Sequence, residues 1–194
     1  MVDFEENKLI ENIKKGDNRA FDKLVQIYMK RAYSVAFRYM QKDEDAQDMV
    51  QEAFIKVYIN IDKFNENYGF SSWFYRILIN CCINALKRRQ KSGSLVYSWE
   101  KDKEIGVDDN IGIQNVTKDP EEDLILKEKN RIIMEGINFL PSKQKDVLIL
   151  YDIEGFDQRE ISNILNIPIG SVMSRLYYGR RKLKKYLEKA LKET

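Results

Sequence analysis

Apolar side chains recur along this chain at steps of three and four residues, interrupted by residues that end helices. That period places a stripe of them on one face of an α-helix. Residues 4 to 15 predict a short helix with Phe4, Leu9, Ile10 and Ile13 on the stripe, broken by Gly16 and Asp17. A longer helix follows over 18 to 41, with Phe21, Leu24, Val25, Tyr28, Ala32, Val35 and Tyr39 on one side. Asp43 is the expected N-cap of a third helix over 44 to 62, whose inner face carries Ala46, Met49, Val50, Ala53, Phe54, Val57 and Ile61. Residues 65 to 72 read as a loop. Ser71 or Ser72 caps a fourth helix that buries Phe74, Ile77, Leu78, Cys81 and Ala85.

The period vanishes from Ser92 to Asp119. Pro120 then opens a helix reaching about residue 139, with Leu124, Ile125, Ile132, Ile133 and Ile137 apolar. Pro141 starts another that carries Val147, Leu148, Leu150 and Tyr151 and ends at Gly155. A proline at a helix start loses an N–H that has no partner there anyway. Asp157 caps a short helix, and Glu160 three residues later completes a capping box. Ile161, Ile164 and Leu165 face inward, Asn166 and Ile167 make a tight turn, and Pro168 takes the first position of a final helix. Val172, Leu176, Gly179, Leu183 and Leu187 mark that helix's packed side. A short helix, a tight turn and a longer helix make a helix-turn-helix. The fold class that follows is all-α, with two small helical domains at 1–91 and 120–194 joined by a flexible acidic linker at 92–119.

Composition narrows the chemistry. Charged residues make up 33% of the chain and hydrophobic ones 43%, which supports packed cores under a solvated surface. Histidine is absent, so the commonest general base and metal ligand is missing. Cys81 and Cys82 are adjacent, which suits neither a disulfide nor a zinc site. The expectation is a chain with no catalytic residues, no metal, no cofactor and no small-molecule substrate. No stretch approaches the ~20 apolar residues of a membrane span, and residues 1 to 17 lack the pattern of a secretory signal. A soluble, reduced, cytoplasmic protein without membrane insertion is expected.

Charge is uneven although the net value is only +2. Between Glu100 and Asp123, nine acidic residues face three basic ones. Such a segment reads as a mobile tether or as an acidic segment that occupies a basic channel in a partner, and about 30 extended residues span on the order of 100 Å. Between Arg175 and Lys192, eight cations face Glu188 alone. Cations that meet phosphates release counterions, so binding there should weaken steeply with salt. On the third helix Asp45, Asp48 and Glu52 recur on one face with Gln51 beside them. On the fourth, Trp73, Arg76, Asn80, Asn84, Lys87 and Lys91 form another stripe. Amides bond base edges, cations neutralise phosphates and aromatics stack on unpaired bases.

Together DAQDMVQEAF (45 to 54), FSSWFYRILIN (70 to 80) and LPSKQKDVLILYDIEGFDQREISNILNIPIGSVMSRL (140 to 176) resemble the extracytoplasmic-function (ECF) group of bacterial sigma factors. The first two motifs are similar to the group's region 2 and the third to its region 4. The resemblance implies a polymerase subunit that selects promoters. Asp45, Asp48, Gln51 and Glu52 match the positions that dock on the clamp helices of the polymerase's largest subunit. Asn65, Tyr68, Ser72, Trp73, Arg76, Asn80, Asn84, Lys87 and Arg88 match the part that captures the melted −10 element. Ser171, Met173, Ser174, Arg175, Tyr177, Tyr178, Arg180 and Arg181 match the reader of the −35 element. Gln158, Glu160, Ile161, Ile167, Pro168, Gly170, Val172 and Leu176 match the helix-turn-helix itself. Implied partners are core RNA polymerase (clamp helices and flap), promoter DNA and an anti-sigma protein. The chain departs from the group's pattern at Asn84, Met173, Tyr178 and Gly179. A stand-alone helix-turn-helix regulator would explain 156 to 187 equally well, yet leaves the acidic helix and the Trp73 stripe without a role. An enzyme acting on nucleic acid would need a carboxylate pair, and none stands out.

Overall fold

The computed structural model describes residues 2–65, 69–91, 120–190 and 192, and among them every regular element is helical. The helices are α1 (Val2–Lys14), α2 (Asn18–Met40), α3 (Asp43–Asn60), α4 (Phe70–Lys91), α5 (Pro120–Asn138), α6 (Ser142–Leu148), α7 (Gln158–Leu165) and α8 (Ile169–Ala190). A 3-10 turn, Ile61–Lys63, extends α3, and a π-helical turn, Ile149–Ile153, extends α6. The chain divides into two compact units, the first built on α1 to α4 and the second on the bulk of α5 to α8. The acidic segment 92–119 and Tyr68 lie outside the described residues.

In the first unit, α2 starts where Asp17 caps it, accepting from the N–H groups of Arg19 (2.9 Å) and Ala20 (3.3 Å). Gln41 stops it in the left-handed region at φ 59°, donating its N–H to Phe37 O. The start of α3 differs from the sequence expectation. Lys42 occupies the cap position without a side-chain bond, and Asp43, Glu44 and Asp45 fill the first turn. Carboxylates there face the positive end of the helix dipole, which favours the start without a capping hydroxyl or amide. The fourth helix also begins earlier than expected. It starts at Phe70, so Ser71 and Ser72 sit inside its first turn and do not cap it. Burial of Phe70 against Tyr28, at a ring distance of 5.2 Å, draws that turn into the helix.

The core between α2, α3 and α4 is aromatic. Phe54 and Phe74 stack at 4.9 Å, and Tyr28 meets Phe74 edge-on at 5.1 Å. Burying a side chain of this size stabilises by roughly 1.5–3 kcal/mol. Cys81 and Cys82 are buried thiols on α4. Burial pushes both thiols up, Cys82 to about 12, so neither is a reactive thiolate near neutrality.

In the second unit, the helix expected to run unbroken to Gly155 instead widens into a π turn after Leu148. The reason is visible in its burial: Val147, Leu148, Ile149 and Leu150 are all inside. Four successive residues at ~100° each sweep most of the way round an α-helix. A wider turn rotates less per residue and narrows that arc. The chain then passes Gly155 to α7, where the capping box closes as expected. Asp157 Oδ1 accepts from the N–H groups of Arg159 (2.7 Å) and Glu160 (2.8 Å), and Glu160 Oε2 accepts from Asp157 N–H at 2.8 Å. Asn166, at φ 52°, makes the turn, and Ser162 Oγ donates to Ile167 O at 2.6 Å. Pro168 stands one residue before the helix and not at its first position. Its carbonyl accepts from the N–H groups of Ser171 and Val172.

Candidate nucleic-acid and polymerase interfaces

The second unit presents α8 through a buried seam. Ile161 of α7 and Val172 and Leu176 of α8 are buried, and α8 packs against α6 and α5. Gly179 continues the seam, because a Cβ there would stand 2.9 Å from Leu148 Cδ1. Packing therefore fixes which face of α8 is outward. Met173, Ser174, Tyr177, Tyr178 and Arg181 are exposed, while Ser171 and Arg175 are half-buried. Gln158, Ile167, Pro168 and Gly170 flank the motif's start and turn, with Pro168 and Gly170 exposed. Ser174 Oγ donates to Ser171 O at 3.1 Å, a bond within the helix.

Arg180 is placed differently from its neighbours. Its Nε donates to Asp152 Oδ2 at 3.1 Å, its Nη2 pairs with Asp152 Oδ1, and the guanidinium lies 5.2 Å over the Tyr151 ring. The Asp152 carboxylate holds the guanidinium above its ordinary range. This cation ties α8 to the π turn. Tyr151, Gln158, Met173, Tyr177, Arg180 and Arg181 line a cleft of about 450 Å³ along this flank.

In the first unit, α3 and α4 present opposite charge side by side. Asp48 and Gln51 are exposed, while Asp45 and Glu52 are half-buried. Arg89 grips Asp45 with both terminal nitrogens, Nη1 donating to Oδ2 at 2.8 Å and Nη2 pairing with Oδ1. That bond holds the Asp45 carboxyl below the usual carboxylate range. Glu52 accepts from Lys56 Nζ at 2.6 Å and lies 4.0 Å from Arg88 Nη2, and the Lys56 bond lowers its carboxyl likewise.

Along α4, Arg76, Asn80, Asn84, Lys87 and Arg88 are exposed at helical spacing, with Asn65 exposed in the loop before it. Two predicted members sit further in. Ser72 is buried, with a relative exposure of 9%. Trp73 is half-buried, its ring 5.3 Å from Phe64 and 5.8 Å from Phe70. Those residues shape the start of the stripe from beneath. Sequence reading missed Arg89, Lys56, Asp152 and Tyr151. The partners in Arg89–Asp45 and Arg180–Asp152 lie 44 and 28 positions apart, so no local spacing rule could pair them.

Two family patterns match in order, sigma-70 region 2 over residues 24–92 and sigma-70 region 4 over residues 130–183. The chain is 35% identical over 180 residues to the ECF RNA polymerase sigma factor SigW of Bacillus subtilis, covering 93% of this chain and 95% of that one. It shares its fold with CnrH, solved in complex with the cytosolic domain of CnrY, at a TM-score of 0.67 and 20% identity over 95% of this chain and 97% of that one. It also shares its fold with the sigma factor RpoE of Bartonella quintana, solved in complex with the anti-sigma factor NepR. That match has a TM-score of 0.65 and 20% identity, over 87% of this chain and 96% of that one.

Proposed function

Because the chain belongs to the ECF RNA polymerase sigma factors, we propose that it binds core RNA polymerase and directs it to promoters. The observation that carries this reading is the pairing of two surfaces on one chain: a helix-turn-helix closed by a reciprocal capping box, and an α3 face bearing Asp45, Asp48, Gln51 and Glu52. A stand-alone regulator needs only the first.

In this reading the α3 face docks on the clamp helices of the largest subunit, and the second unit meets the flap. The exposed side of α8 reads the −35 duplex from the major groove, where every base pair is distinguishable. The loop before α4 and the exposed side of α4 hold the −10 strand as it opens. Melting costs about 1.4 kcal/mol per base-pair step in lost stacking, and aromatic contacts at ~1–3 kcal/mol per captured base offset it. The working units are 1–91 and 120–194, with 92–119 as the tether. The chain supplies binding and no catalytic group of its own. Its place of action is the cytoplasm, where an anti-sigma protein would hold it in reserve. Among the described residues no helix is long and apolar enough to cross a membrane.

Charge reversal at Asp45, Asp48 and Glu52 tests the docking assignment. It should abolish co-elution with core polymerase while helical content and melting stay those of a folded chain. Undiminished co-elution would refute the assignment.

A further inference from the structure

The start of α8 carries no charged side chain. From Ile169 to Ser174 the exposed residues are Ile169, Gly170, Met173 and Ser174, and the helix's first cation follows them at Arg175. Ile169 is 43% exposed and Met173 54%, four residues apart and so on one face. Tyr177, 63% exposed, continues the line four residues further on. A single exposed apolar side chain is ordinary. A line of them along a helix that also bears the DNA-facing cations is a surface that gains when something other than water covers it. We propose that Ile169 and Met173 read thymine in the −35 duplex through its C5 methyl group. Choice at those base pairs then rests on a methyl and not on hydrogen bonds. This rests on the reading of α8 as the −35 helix.

In the major groove guanine shows two acceptors, cytosine a donor, adenine an acceptor and a donor, and thymine an acceptor and a methyl. The N-terminal residues of the second helix of a helix-turn-helix meet those edges. The side chains of Ile169 and Met173 have no hydrogen-bond donor. Ser174 commits its hydroxyl proton to Ser171 O at 3.1 Å. Guanine set against this face would lose water from its acceptors and gain no partner, which weakens binding. A thymine methyl gains from the same exclusion of water. Gly170 supports a close approach. A Cβ there would meet nothing within 4 Å among the described residues, so the packing of the unit does not call for glycine at this exposed position. Lying between Ile169 and Met173, it removes the side chain that would hold the helix away from the base edges. At 1.5 Å per residue Ile169 and Met173 are about 6 Å apart along the axis. Base pairs rise by ~3.4 Å, so the two side chains reach pairs about two steps apart. Arg175 and Arg181, further along the helix, hold phosphates in this arrangement and set its depth.

The test uses the full chain assembled with core polymerase. The probe is duplex DNA from a start site that this assembly uses in run-off transcription, with the upstream segment randomised. Selection should enrich thymine at base pairs about two steps apart. Each enriched thymine is then replaced by deoxyuridine, which removes the methyl and keeps every hydrogen-bonding group. Affinity should fall about fourfold per methyl, as the burial of one carbon group implies. Met173→Ala should bring the thymine-to-uracil ratio at one of these pairs to about one, and Ile169→Ala should do so at the other. Met173→Leu, which restores apolar bulk, should keep the ratio of the unaltered chain. Met173→Arg should lose the methyl dependence and shift selection towards guanine, whose O6 and N7 a guanidinium bonds together. Both positions are exposed, and thermal melting checks that each variant is folded. Equal affinity for thymine and uracil duplexes in the unaltered chain overturns the proposal, and so does a ratio that survives both alanine variants. If no upstream sequence is selected, the −35 assignment of α8 falls and the methyl reading falls with it. If a sequence is selected whose methyls are dispensable, only the methyl reading falls.

Discussion

Gly136 and Gly179 are the described glycines of the second unit at which an added Cβ would meet a neighbour, and they are not equivalent. A Cβ at Gly179 would meet the terminal methyl of Leu148 at 2.9 Å, a group that can rotate away. A Cβ at Gly136 would meet Leu183 Cδ1 at 2.7 Å and the Tyr186 ring at 2.8 Å, and a ring edge has no such freedom. Alanine gains ~0.8–1.0 kcal/mol of helix propensity over glycine, while overpacking costs ~1–3 kcal/mol. Gly136→Ala should therefore lower the melting temperature, by the equivalent of about 1 kcal/mol, and Gly179→Ala should leave it nearly unchanged. A melting scan in which Gly136→Ala is the more stable protein would contradict the packing described. The sequence pattern marks Gly179 as a seam position and does not single out Gly136, because the reason lies on another helix.

Asp45 belongs to the same scale. Arg89 holds its carboxyl low in the folded state. The stabilisation is thus complete above the ordinary carboxylate range of about 4 and is lost as pH falls through the lowered folded value. Asp45→Asn should narrow the gap between melts near neutrality and melts at about pH 3. A gap of unchanged width would detach Asp45 from the acid response.

At the scale of elements, most of the architecture is legible in the chain. Helical period and breakers place α2, α3, α4 and α8 to within a few residues, and the Asp157–Glu160 box foretells the start of α7 because its bonds span only three residues. The misses share a cause. The π turn after Leu148 exists because four neighbours must all be inside, and the cap of α3 is replaced by a run of carboxylates. Both are decided by packing or by summed dipoles, which a stripe of apolar letters does not encode. On α8 the same distinction sorts the cations. Spacing puts Arg175, Arg180 and Arg181 in one class, but Asp152 and Tyr151 engage Arg180. Alanine at Arg175 and Arg181 should flatten the salt dependence of upstream duplex binding by about 0.9 per residue. Alanine at Arg180 should leave that slope unchanged and lower the melting temperature. An Arg180→Ala slope matching that of Arg181→Ala would return Arg180 to the DNA-contacting set.

At the scale of the molecule, the proposed function divides one recognition event between two helical units. In that reading the described residues of α3 offer a carboxylate face to a protein partner, and those of the second unit offer a helix-turn-helix face to duplex DNA. The distribution of charge is readable from the sequence in outline: acidic on α3, basic along α8. The fine pairing that neutralises part of each face is not, because it joins residues far apart in the chain. The central claim is that this protein gives core polymerase its choice of start site. Run-off transcription on genomic fragments, with core polymerase alone and with this protein added, tests it most directly. The account predicts discrete transcripts that appear only when the protein is added and vanish with the charge-reversed α3. The same transcripts from core polymerase alone, or none with both present, would contradict it.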